Sequence, residues 1–321
     1  MSIFIPRIED FVKADHTYRA LLKLIDFEGL SGCMKGCYSE NGRAGYPVAT
    51  ALKAMVLQHI EDLSDREMER FLQENLAGKY FCGFALDEKT PDHSYFGSLR
   101  KRIGTEKVAE IFNRVCQELR AKGLISDIFT FVDATSLISK YSVWAERDKL
   151  IKQGEEELNN QTIGKVGADR QARFGCKGKG KFWYGYKAHA AVDMKHGLIK
   201  KIAVTPAHVP DRKGLKSICP RQGMVFADKG YCGKSAEVEL KRRGCHSGII
   251  KRNNMAGKDF RHDKWLTAVR MPYEGIFSKF SERTRYRGTA KTQMQMFFEA
   301  LANNFKRLIK ISAPPLQFST V

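Results

Sequence analysis

The stretch VFADKGYCG, Val225 to Gly233, is the one on which the fold turns. Met224, Val225, Phe226 and Ala227 are apolar, partly β-branched or aromatic, and bounded by Gly223 and Gly230, which predicts a short buried strand. Asp228 follows at the carboxyl end of that strand, where α/β sheets open their ligand crevice. Gly230 predicts a sharp turn, and KSAEVELKRRG after it a helix closed by Gly244. An Asp at this point can equally be a turn or helix-cap residue. Upstream, FTFVDATSLIS repeats the construction and places Asp133 directly after Phe131 and Val132.

The charge distribution supports a polyanionic ligand. The 321 residues carry a formal net charge of +19. Residues 1–104 hold 14 Lys and Arg against 15 Asp and Glu, and the remainder holds 41 against 21. The basic excess therefore lies in the part that carries Asp133 and Asp228, and a field of that size attracts nucleic acid. No apolar run approaches the roughly 20 residues of a membrane span. The N-terminus has acids early and no long apolar segment, unlike a secretory signal. The eight cysteines form no paired CxxC pattern, and Cys33 and Cys37 have no His or Cys cluster beside them. They read as reduced thiols of a cytoplasmic protein.

Residues 1–125 read as an all-helical domain. PVATALKAMVLQHIED starts with Pro47 at a first helical position and repeats Leu52, Met55, Val56 and Ile60 at helical spacing. SDREMERFLQENL opens with a capping box, Ser64 with Glu67. The pair could be a helix-turn-helix reader or plain helical packing, and its evenly mixed outward charges favour packing. Arg100, Lys101 and Arg102 form a basic patch near a helix end. Residues 126–321 read as an α/β domain interrupted at about 140–182, where WAERDKLIKQGEEELNN is charged and partly helical in pattern. In CKGKGKFWYGYK, Lys177, Lys179 and Lys181 alternate with glycines and lead into aromatics, a composition suited to phosphate contact and base stacking. A β-hairpin follows, its strands flanking DMKHG. Asp193 reads as a turn residue, Asp211 as the N-cap of a helix, and both are held out of the site; His189 takes no catalytic role. RNNMAGKDFRHDK reads as a loop and MPYEGIFSKFSER as a helix with Pro272 in its first turn. Tyr273, Ile276, Phe277 and Phe280 form its apolar stripe, with Glu274 at the edge. RTRYRGTAK then groups Arg283, Arg285, Arg287 and Lys291 around Tyr286.

The order strand–Asp, hairpin, strand–Asp, helix–Glu is the order a ribonuclease H-like fold supplies. Three convergent carboxylates repel unless cations neutralise them, and hard oxygen ligands suit Mg²⁺ or Mn²⁺. Two such ions can clamp the attacking and leaving oxygens of an in-line phosphoryl displacement. Over most of its length the chain also resembles the DDE transposases of bacterial insertion sequences, specifically the insertion-sequence-five group. The resemblance rests on PVATALKAMVLQHIEDLSDREMERFLQENLAGKYFCGF with TPDHSYFGSLRKRI, then FVDATSL, KFWYGYKAH, VDMKHGLI, TPAHVPD, ADKGYCG, and RMPYEGIFSKF with RYRG. It implies Asp133, Asp228 and Glu274 as catalytic carboxylates and metal ligands. Arg270 stands the expected four positions before Glu274. Thr267 and Ser281 stand where that signature has Tyr and Lys, with Lys279 nearby, so the helper residues depart from the pattern. Phosphate contacts are expected from Lys177, Lys179, Lys181, Arg270, Lys279, Arg285, Arg287, Arg100, Lys101 and Arg102. The implied partners are double-stranded DNA, as terminal inverted repeats and target, and a second copy of the chain; no membrane is implied. The implied location is the cytoplasm, at the nucleoid. A metal-dependent nuclease on the same fold and a catalytically dead end-binding repressor are the competing readings.

Overall fold

The computed structural model describes residues 7–37, 45–141, 152, 158–178 and 180–312. The chain divides into two compact units, Met1–Val115 with Leu301–Val321, and Cys116–Ala300.

The first unit is helical: α1 (Thr17–Leu24), α2 (Phe27–Ser31), α3 (Val48–Ile60), α4 (Asp65–Glu74), α5 (Leu76–Cys82) and the greater part of α6 (His93–Ala121), which is broken at Gly104 (φ 70°). The end of α11 (Thr289–Ser312) completes it. Pro47 occupies the N-cap of α3 rather than its first turn, since its ψ of 143° is extended. Helix α3 is buried from Ala49 to Ile60 except at half-buried Lys53, so it is the core of its unit and offers no free face to a DNA groove. The capping box forms as the sequence predicts: the Glu67 amide donates to Ser64 Oγ at 3.3 Å and the Ser64 amide to Glu67 Oε2 at 2.8 Å.

The second unit is built on a six-stranded mixed sheet. Its strands are β1 (Phe129–Ile138), β2 (Arg173–Cys176), β3 (Phe182–Asp193), β4 (Ile199–Pro206), β5 (Gly223–Ala227) and β6 (Cys245–Ile249). The order is β2-β3-β1-β5-β6, with β4 also paired to β3. β3 runs antiparallel to its neighbours β1 and β4, whereas β1, β5 and β6 run parallel. Together with the helical N-terminal region this is a ribonuclease H-like α/β architecture. The short helix α7 (Ile163–Val166) precedes β2. Strand β2 lies inside the stretch read as an interruption, because RFGC pairs with Phe182–Gly185 and extends the sheet by one edge strand. Most of the charged segment before it, residues 142–151 and 153–157, lies outside the described residues.

Alternation along the strands decides which side chains meet which helices. Val132, Val225 and Ala227 face one side, where they bury against Leu215 and Ile218 of α8 (Asp211–Ile218) and Leu240 of α9 (Lys234–Arg242). Each fully buried Val, Leu or Ile among them contributes roughly 1.5–3 kcal/mol. Phe131 faces the other side and packs on Tyr273 and Phe277 of α10 (Phe260–Phe277), with ring centroids 5.9 and 5.7 Å away. α10 starts eleven residues earlier than the sequence predicts, because Asp259 caps it, accepting from the amides of Arg261 and His262. Pro272 therefore stands inside the helix. There it removes one backbone donor without ending the helix, since the aromatic packing on Phe131 spans it.

Candidate active site

Asp133 and Asp228 meet because β1 and β5 are parallel neighbours in matched register. Val132 pairs with Ala227, so the two aspartates are the next residues on adjacent strands, on the face covered by α10. β5 ends there, whereas β1 continues to Ile138 beside β3, so Asp133 is a mid-strand residue rather than a strand-end one. Each carboxylate is held by a backbone amide: Ala134 donates to Asp133 Oδ1 at 2.8 Å, and Gly230 to Asp228 Oδ1 at 2.7 Å. Burial, with the Asp228 charge adding to it, pushes the Asp133 carboxyl up to about 6, against the opposing pull of the Ala134 amide and the charges of Arg270 and Lys177.

A third aspartate, Asp211, which the sequence predicts as a helix cap, approaches the Asp228 turn. Asp211 is the first residue of α8, with Pro210 at the N-cap, and its side chain caps nothing; it accepts from Lys187 Nζ at 2.8 Å. A Cβ added to Gly230 would stand 2.8 Å from Asp228 Oδ1 and 3.0 Å from Asp211 Oδ2. Gly230 is required for this close approach; the left-handed turn residue of the loop is Gly233 (φ 149°), not Gly230. Beneath them Tyr231 is fully buried, and burial plus the charges of Asp133, Asp211 and Asp228 keeps its hydroxyl protonated. The Tyr231 hydroxyl shares a hydrogen bond with His189 Nδ1 at 3.0 Å, and His189 Nε2 meets Thr205 Oγ1 at 2.9 Å. Burial brings the His189 pKa down to about 4, so the ring is a neutral support for the Asp228 turn. The one sequence signal for Asp211 was its place one turn past a strand of the same sheet, in TPAHVPD.

Glu274 is not drawn into a ligand set with these aspartates. It sits on α10, which packs on the Asp133 side of the sheet, but its side chain is 52% exposed and its Oε1 lies 3.7 Å from Arg270. Among the described residues no three His, Cys, Asp or Glu side chains gather at metal-holding spacing. Arg270 links the two parts: it is buried, its guanidinium lies 5.5 Å over the Phe131 ring, and its charge reaches Asp133. Thr267 and Ser281, at the departing positions, make local bonds, the first to the Asp263 carbonyl and the second through its amide to Glu299.

The basic candidates fall into three groups. Lys177 and Lys181 close the tip of the β2–β3 hairpin, where the Lys177 amide donates to the Lys181 carbonyl at 2.9 Å. Both are exposed, as is Phe182 after them at 71%, while Lys179 lies outside the described residues. The Lys177 charge also acts weakly on Asp133. Lys279 and Arg287 are exposed; Arg287 donates to the Ala168 carbonyl at 3.2 Å, and the Arg285 amide donates to Gln295. This segment is held to the end of β1 by the Ile138 and Thr284 amides and to buried Asp169 by the Gly288 amide. In the helical unit Arg100 donates to both carboxylate oxygens of Asp65 and is 11% exposed, so it is a packing residue, whereas Lys101 and Arg102 are exposed.

The mixed sheet thus carries two amide-held aspartates at its parallel–antiparallel junction. Residues 130–305 match the family model described as Transposase DDE domain, and residues 6–102 that described as Transposase domain (DUF772). The first match covers more than half of the chain, and the protein belongs to the DDE transposase family. No solved structure matches it. Among the described residues no helix is long and apolar enough to cross a membrane.

Proposed function

We propose that this transposase cleaves phosphodiesters at the ends of an insertion sequence and transfers the freed 3′-hydroxyls into target DNA, with Asp133, Asp228 and Glu274 as its carboxylates. The observation that carries the reading is the juxtaposition of Asp133 and Asp228, each held by one backbone amide, on adjacent strands. The family generally uses divalent metal ions, and the donor chemistry fits: two carboxylates stand on adjacent strands, and burial, with the Asp228 charge adding to it, raises the Asp133 carboxyl to about 6, a cost that a bound cation would relieve. Asp133 and Asp228 would hold Mg²⁺ or Mn²⁺, two ions in all, and Glu274 would join them by turning from its exposed position beside Arg270. When bound, such ions stabilise the charge on the attacking and leaving oxygens of an in-line displacement.

The protein's own residues do the positioning. The Gly230 and Ala134 amides fix the two aspartates, and Arg270 presents a permanent positive charge between Asp133 and Glu274. Lys177, Lys181, Lys279, Arg285 and Arg287 contact phosphates around the site, and Lys101 and Arg102 do so on the helical unit. Residues 1–125 serve end binding and dimerisation, and 126–321 the chemistry. Terminal inverted repeats and target DNA are the substrates, a homodimer bridging two ends is the working form, and the protein acts in the cytoplasm at the nucleoid.

The test separates binding from chemistry. Asp228→Asn keeps the side-chain shape but removes a negative ligand. In the presence of Mg²⁺ the variant should nick and join end DNA on the order of 10³-fold more slowly or not at all. Without metal it should bind the ends at least as well as wild type, because one repelling charge is gone. Near wild-type cleavage, or lost end binding in a folded variant, overturns the assignment. Wild-type protein that nicks without joining is a nuclease instead.

A further inference from the structure

A cleft of about 340 Å³ opens on the α10 side of Asp228. Asp228 stands at one end, and its walls are the loop after β6 and the first three turns of α10. Five cationic side chains and two carboxylates line it. Lys258 and Asp263 neutralise each other at 3.0 Å, and Lys258 is further held by the Lys251 carbonyl and Asn253 Oδ1, so this pair is structural. Arg270 lies 3.7 Å from Glu274, and Lys251 Nζ donates to the Gly257 carbonyl at 2.9 Å, which leaves Lys229, Lys251 and Lys264 beside Asp228 with no carboxylate of their own among the described residues. Cations gathered in this way repel one another unless a polyanion lies among them.

The size and lining narrow the polyanion. The cleft lies at the small end of the range that holds small ligands, enough for about a nucleotide. A duplex, with a major groove about 12 Å wide, is far larger than such a space. Phe260 lines the cleft with its ring 75% exposed and Lys258 Nζ 5.2 Å from the ring centroid, so an aromatic surface stands open beside the lysines. Lysines that track a backbone, with an exposed aromatic ring beside them, are the parts of a single-strand site. We infer that this cleft holds one unpaired DNA strand running up to the phosphodiester at Asp228, with Lys229, Lys251 and Lys264 on its phosphates and Phe260 against a base or sugar. The inference rests on the DNA chemistry proposed for Asp228, but it concerns binding, which can be measured with no metal present.

The test uses the full chain, no divalent cation, and two labelled DNAs that share the element's terminal duplex. One is blunt and the other carries a short single-stranded extension. Wild type should bind the extended DNA more tightly. Lys229→Ala combined with Lys264→Ala should weaken binding to the extended DNA at least tenfold and lower its salt slope by about 1.4, at about 0.7 per single-strand phosphate contact. Binding to the blunt duplex should change less than about twofold, which also shows that the variant is folded. Phe260→Ala should weaken the extended complex with no change in salt slope, because a ring contact releases no counterion. Equal losses on both DNAs would mean that the lysines act only through the overall field, and no loss on the extended DNA would mean that the cleft is empty of strand; either overturns the inference. Neither outcome bears on Asp228→Asn, which is read from cleavage in the presence of metal.

Discussion

Replacing Asp133 by Asn should stabilise the metal-free protein at neutral pH, the reverse of what an average buried substitution does. The carboxyl is pushed from 3.8 up to about 6, by burial first and the Asp228 charge second. Between those pH values the folded state holds a proton that the unfolded state has released, so folding stability falls as pH rises through the window. A shift of this size corresponds to about 3 kcal/mol at pH 7, at 1.36 kcal/mol per unit, as an upper figure. Asn keeps the oxygen that accepts from the Ala134 amide and carries no charge, so it escapes this cost. In a unit of this size, roughly 2–4 °C of melting temperature accompanies each kcal/mol, so Asp133→Asn should melt up to about 10 °C higher at pH 7.5. At pH 4 the difference should vanish. Thermal melts followed by circular dichroism in chelator, at both pH values, measure this directly. Adding Mg²⁺ or Mn²⁺ should raise the wild-type melting temperature and leave the variant nearly unmoved, because only the carboxylate gains from a cation. A variant less stable than wild type at pH 7.5, or a difference of equal size at pH 4, would refute the reasoning and make Asp133 a structural hydrogen-bonding residue.

His189 shifts in the opposite sense. Its pKa falls from 6.5 to about 4 through burial, so the unfolded chain takes up a proton first as the medium is acidified, and stability drops between those values by about 3 kcal/mol. In wild type this loss is offset by the gain at Asp133 over nearly the same window, so Asp133→Asn should reveal a steeper acid destabilisation than wild type in urea titrations at pH 7 and pH 4.5. Gly230→Ala places a methyl group within 3 Å of the Asp228 and Asp211 carboxylates, which can swing away without disturbing the backbone. Folding should survive while end cleavage falls about 10²-fold, as expected for reacting groups displaced by about an ångström; unchanged cleavage would show that the approach of the two aspartates is incidental. Lys177→Ala with Lys181→Ala should weaken binding to all duplex sequences alike and lower the salt slope by up to about 1.8, and an unaltered slope would remove the hairpin tip from the DNA surface.

The sequence by itself determined the two aspartate strands, the hairpin between them, the helical N-terminal region and the uneven charge. Each is a local pattern: an apolar run ended by Asp and Gly, alternation around DMKHG, helical spacing from Leu52 to Ile60, and simple counting. The tertiary structure decided what long-range pairing controls. Asp133 is mid-strand because β3 continues beside β1 after β5 has ended, and nothing within FTFVDATSLIS encodes where a neighbour stops. Asp211 comes close to Asp228 because α8 packs against the Asp228 turn with no side chain on Gly230 between them, although TPAHVPD alone reads as a helix cap. Arg100 leaves the set of DNA candidates because Asp65, 35 positions earlier, lies opposite it. α10 extends back to Phe260 through the Asp259 cap and forward through Pro272, because the Phe131 ring binds both Tyr273 and Phe277 and outweighs the local preference of proline for a helix start. Local patterns are set by neighbours a few residues apart and survive in any context, whereas contacts between distant segments exist only once the sheet has fixed its register.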